Sequence, residues 1–180
     1  MHYSKRLLGC LLALALISPV SAASAGAPAR AKSTAAPRAL RLSPALWATI
    51  DVCNPADQPD TLGIRGSMPG DKRARDTLFM RFRLQYRLAG TPARWVDLAG
   101  GAASGFVAVG SAKSARQAGW SFQLMPPAGK PATTLRGVVT FQWRRGSQIL
   151  ASISRATTAG HTSLAGADPS NFSAATCSIG

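Results

Sequence analysis

The sequence predicts an all-β fold: a single antiparallel β-sandwich of seven or eight short strands, preceded by an N-terminal segment that does not fold. Three observations predict it. Apolar residues alternate with period two in run after run between Leu46 and Thr157. Clusters rich in Gly, Pro, Asn and Asp separate those runs at near-regular spacing. After residue 22 no stretch keeps the 3.6-residue period of an amphipathic helix. At 180 residues the chain has room for one ordinary domain.

The first 22 residues stand apart from that pattern. His2, Lys5 and Arg6 make a basic start, Leu7 to Ile17 is an apolar run, and Ser18-Pro19-Val20-Ser21-Ala22 is a small-residue stretch broken by Pro. This is the build of a secretory signal peptide, with cleavage after Ala22 or Ala25. The apolar run is too short for the roughly 20 residues a membrane span needs, so no transmembrane anchor is expected. Residues 23–44 are rich in Ala, Pro and Ser, carry Arg30, Lys32, Arg38 and Arg41, and contain no acid. Such a segment cannot bury a core and reads as a disordered basic tether. The sandwich domain is therefore expected over 45–180, with an irregular tail over 158–180.

Within the domain, Ala45 to Cys53 sets Leu46, Ala48, Ile50 and Val52 against Trp47, Thr49, Asp51 and Cys53. Thr61 to Met68 repeats the alternation after a turn-rich connection. The clearest strand is Thr77 to Leu88, with Leu78, Met80, Phe82, Leu84, Tyr86 and Leu88 on one face and Arg81, Arg83, Gln85 and Arg87 on the other. Further strands are read at Arg94 to Leu98, Gly105 to Val109 and Gly119 to Leu124, the last with Trp120, Phe122 and Leu124 inward. Leu135 to Trp143 and Ser147 to Thr157 close the series as a hairpin over Arg144-Arg145-Gly146, where Gly146 supplies the left-handed residue.

Once Cys10 leaves with the signal, Cys53 and Cys177 remain. An even count in an oxidising compartment predicts one disulfide, pinning the tail beside the end of the first strand. There is no C-x-x-C, and His161 is the one histidine of the mature chain, so no metal site and no cofactor are expected.

The charge balance excludes whole classes of chemistry. There are 21 Lys+Arg against 7 Asp+Glu, a net charge of +14, and all seven acids are Asp. Without Glu, paired-Glu glycosidases, H-E-x-x-H metalloproteases and Glu-assisted deaminases are ruled out. No serine lies in a G-x-S-x-G elbow, and a small secreted hydrolase built on His161 with a nearby Ser and Asp is the minor reading beside a solvent-facing loop histidine. Sixteen of the bases are Arg. Arg81, Arg83 and Arg87 project from one strand face, and Arg144 and Arg145 stand at a hairpin tip. Together they are the candidate anion-binding residues, because a guanidinium holds carboxylate, sulfate or phosphate with two parallel hydrogen bonds.

The strand order, the long central strand and the closing hairpin around Phe141-Gln142-Trp143-Arg144-Arg145-Gly146 resemble immunoglobulin-like and fibronectin-III-like sandwiches over residues 45–157. The resemblance implies adhesion, recognition or a structural role. The expected protein is a secreted or cell-envelope, non-enzymatic binding module. Its partner is an anionic envelope polymer or glycan, or alternatively an extracellular protein that it binds as inhibitor or effector. Export separates it from intracellular nucleic acid.

Overall fold

The computed structural model describes residues 37–180 apart from positions 91, 93 and 163. The segment read as a signal peptide and most of that read as a tether lie outside the described residues. Over 37–44, where the sequence predicts tether, the chain forms the one-turn helix α1 (Arg38–Arg41). Leu40 packs against the core and the Arg41 carbonyl accepts a hydrogen bond from Arg155 Nη2 at 2.7 Å.

The described domain is all-β, in two antiparallel sheets. Its strands are β1 (Trp47–Cys53), β2 (Thr61–Met68), β3 (Arg73–Leu88), β4 (Arg94–Asp97), β5 (Val107–Ala112), β6 (Arg116–Gln123), β7 (Thr133–Arg145), β8 (Gln148–Ala156) and β9 (Cys177–Ile179). The smaller sheet runs β1-β2-β6. The larger is built on the two long strands β3 and β7, with β4 and β5 sharing the free edge of β3 and β8 and β9 sharing that of β7.

The alternation of β3 does what period two requires. Leu78, Met80, Phe82 and Leu84 are fully buried, and with Val139, Phe141 and Trp143 of β7 they form the core against Ile50, Leu62 and Ile64 of the smaller sheet. Gly137 keeps the sheets close: a Cβ there would stand 2.6 Å from Ile64 Cδ1 and 2.7 Å from Thr157 Cγ2. Burial fades towards the end of β3, where Tyr86 is half-buried and Leu88 is exposed.

Three local expectations are corrected. Strand β1 is buried on both faces, because the C-terminal segment covers the side that carries Thr49 and Asp51. That segment, expected to be irregular, ends in the short strand β9 on β7 and is stitched to β1 before it: Ile50 and Ala174 exchange both main-chain hydrogen bonds, Asp168 N donates to Asp51 O, and Thr158 N donates to Ala48 O. Trp120 is 40% exposed, because β6 is the edge strand of the smaller sheet and little covers its middle. The β7–β8 connection is tighter than a three-residue loop, with Arg145 paired to Gln148 across Gly146 at φ 55° and Ser147. The disulfide expected between Cys53 and Cys177 is present. Among the described residues no helix is long and apolar enough to cross a membrane.

Candidate anion-binding face

The outward face of the larger sheet is set by register. Opposite the odd positions of β3 lie the even positions of β7, giving the rows Phe79–Gln142, Arg81–Thr140, Arg83–Val138 and Gln85–Arg136. Strand β8 extends two of these rows with Ser152 and Ser154, and β4 sets Asp97 beside Gln85 and Trp95 beside Arg87. The face is therefore a mosaic of guanidiniums, flat rings and small hydroxyls. Val138, beside Arg83 in register, is buried on this outward side.

Each arginine meets a different environment. Arg83 Nη1 donates to Asp97 Oδ2 at 2.6 Å, while Gln85 Nε2 donates to the other carboxylate oxygen at 2.8 Å, so the charge of Arg83 is answered within the protein. Arg136 donates to Gln85 Oε1 at 2.8 Å and lies 4.4 Å from the Trp95 ring centre. Burial lowers the pKa of its guanidinium. Arg144 is held by Gln142 Oε1, which accepts from both Nε and Nη2, and its guanidinium carbon lies 4.2 Å from the Phe79 ring centre and 4.6 Å from that of Phe106. Arg81 lies 6.0 Å from the Phe106 ring centre, has no carboxylate partner among the described residues, and keeps its Nε–H enclosed without an acceptor. Arg87 is exposed at the far end of the row.

Arg145 has a different role. Its side chain turns to Asp76, donating from Nε to Oδ1 at 2.8 Å and from Nη2 to Oδ2 at 3.0 Å, and Asp76 is fully buried. The Arg145 hydrogen bonds hold the Asp76 carboxyl below its ordinary value and, reciprocally, raise the pKa of the guanidinium. Neighbouring Asp71 is shifted upward, chiefly by burial. Because the folded-state pKa of Asp76 is depressed, its stabilisation is present above the unfolded Asp value of about 3.9 and is lost as pH falls through the folded value. Protonation of Asp71 works in the opposite sense and offsets part of that loss. Acid titration followed by denaturant unfolding should therefore show an acid-side decline in stability that Asp76→Asn largely flattens. An unchanged acid limb in that variant would assign the decline to other groups.

Among the described residues His161 meets no carboxylate. Its ring stacks on Trp47 at 4.3 Å and 18°, Nε2 is 3.2 Å from Thr158 Oγ1, and the nearby Ser173 hydroxyl accepts from the His161 main-chain N–H. Burial lowers the pKa of its imidazole, favouring the neutral ring. The cleft formed by the 98–102 loop, the end of β6 and β9, about 310 Å³, has no charged lining side chain. No group of three or more metal-ligating side chains occurs among the described residues.

No known family model matches the chain. No curated protein matches it either. Among solved structures, that of Spo0M, a sporulation control protein from Bacillus subtilis, is similar over 61% of this chain and 46% of its own length, at 12% identity and a TM-score of 0.31. The chain thus spans about half of that protein, and a likeness this slight carries no argument about function.

Several residues of the face escape a sequence reading centred on β3. Arg136, Thr140, Gln142 and Ser154 come from β7 and β8, and Trp95 and Phe106 look like core residues until their register is known, whereas Phe79 already falls among the odd positions of β3. The signal for the first group was present: once Leu135, Val139, Phe141 and Trp143 point inward, the even positions of β7 must point out.

Proposed function

We propose that this protein is an exported, non-enzymatic binding module, an immunoglobulin-like or fibronectin-III-like sandwich, that contacts an anionic envelope polymer or glycan through the outward face of its larger sheet. The observation that carries the reading is the arginine-and-ring mosaic itself. Arg81, Arg136 and Arg144 share one sheet face on which Asp97 is the single acid of the paired rows, and Asp97 is already engaged by Arg83. Guanidiniums braced by rings and amides lose little freedom on binding, which suits repeated contacts to a charged chain. The signal peptide and the disulfide support a site of action outside the cytoplasm. The hydrolase alternative draws no support from His161, whose ring meets Trp47 and Thr158.

Retention of the protein on a column of anionic polysaccharide should fall steeply as salt rises, because contacts between exposed charges are screened over about 8 Å at physiological ionic strength. Arg81→Ser combined with Arg144→Ser should move elution to clearly lower salt. Arg83→Ser should move it less, since Asp97 already balances that charge. Salt-independent retention, or elution unchanged in the double variant, would refute the electrostatic reading.

A further inference from the structure

The contrast between Arg144 and Arg81 narrows the ligand, and the inference rests on the reading just proposed. Arg144 is a fixed cation, packed against two rings and bonded to Gln142. Among the described residues no carboxylate answers the charge of Arg81. Its Nε–H is enclosed without an acceptor, which leaves the terminal Nη groups of a half-buried side chain to face an incoming ligand. Both guanidiniums lean on Phe106, so two like charges are held beside one ring with no carboxylate between them. A buried or half-buried charge in that position is stabilised by an outside anion.

We propose that Arg81, Arg144 and Phe106 form a seat for one acidic sugar unit of a polysaccharide, a pyranose bearing a carboxylate. The planar end of a guanidinium matches the two oxygens of a carboxylate. Phe106, 37% exposed, offers a flat apolar surface beside that charge, and a pyranose has a C–H face to lay on it, whereas a polyphosphate chain has none. Hydroxyl groups of the sugar find partners in the same row. Thr140 stands opposite Arg81 in register, and its Oγ1 is 2.9 Å from Ser154 Oγ. One hydroxyl of that pair donates into the shared bond, so the other keeps its O–H for an outside acceptor. Charge and ring thus meet at Phe106, and the hydroxyl pair extends the Arg81 row across β7 and β8.

The test compares binding of oligogalacturonate and of polyphosphate of matched charge to the whole protein, at about 0.15 M salt where non-specific attraction is damped. Oligogalacturonate should bind at least about tenfold more tightly. Arg81→Ala should weaken both polymers, whereas Phe106→Ala should remove most of the preference by weakening the uronate alone. Phe106→Leu, which keeps apolar bulk without the flat ring, should behave like Phe106→Ala and guards against a folding defect in the smaller variant. Equal or tighter binding of polyphosphate, or equal weakening of both polymers by the Phe106 variants, overturns the sugar seat while leaving a general polyanion surface standing. Retention of neither polymer overturns both.

Discussion

Replacing Cys53 and Cys177 together by Ser is expected to lower the free energy of unfolding by about 5 kcal/mol, the largest single effect anticipated for this protein. The bridge joins residues 124 apart in sequence, so the reduced chain gains the freedom of nearly the entire domain when it unfolds. Small domains have only about 5–15 kcal/mol in total, so the variant should be marginal at room temperature. The double substitution is the clean measurement because it leaves no unpaired thiol to react. Denaturant unfolding of the variant against the oxidised protein reads the difference directly. A loss below about 1 kcal/mol would mean that the main-chain bonds between the C-terminal segment and β1 hold the tail unaided, which is more than a few ordinary hydrogen bonds contribute net.

Trp143→Ala is expected to cost about 3–5 kcal/mol, for a different reason. The indole is 1% exposed, between Leu78 of β3 and Ala151 of β8 in register, and its Nε1–H donates to the Pro69 carbonyl at 2.9 Å. Truncation empties the largest fully buried side chain of the core and orphans that carbonyl. Trp143→Phe keeps most of the volume and loses mainly the hydrogen bond, so it should cost about 1–2 kcal/mol. The gap between the two variants separates packing from polar satisfaction. Equal losses would assign the stabilisation to the Pro69 bond and not to the buried ring. Both variants lie on the inward side of β7, so the guanidiniums of the outward face should still bind polymer while the fold persists.

The strands were legible because each carries its own evidence of burial. Over Thr77 to Leu88 the alternation is complete in the sequence, and the structure buries Leu78, Met80, Phe82 and Leu84 as that alternation demands. Cysteine parity likewise sufficed for the disulfide. What could not be read were properties that depend on a neighbour far away in sequence. Trp120 has the right parity for the core yet is 40% exposed, because nothing in its own segment tells that β6 ends a sheet. Thr49 and Asp51 look solvent-facing until a tail more than a hundred residues later lies down on them. The arginine row was found but its members could not be ranked. Of the five arginines that spacing groups together, Arg145 is bound by Asp76 and Arg83 by Asp97, while Arg81 and Arg144 combine a charge without a carboxylate partner with a ring, as Arg136 of β7 does beside Trp95. Spacing places a charge on a face, and only three-dimensional pairing shows whether that charge is already spent.

The C-terminal segment does more than close a loop. By bonding to Ala48, Ile50 and Asp51 it occupies the side of β1 that β2 leaves open, where a bare strand would offer donors and acceptors to any extended chain that came by. The cystine that anchors this segment is therefore also a latch on a template. In a reducing medium the domain should not merely loosen but acquire an adhesive border along β1, and the double Ser variant should form concentration-dependent assemblies, visible by light scattering, before it fully unfolds.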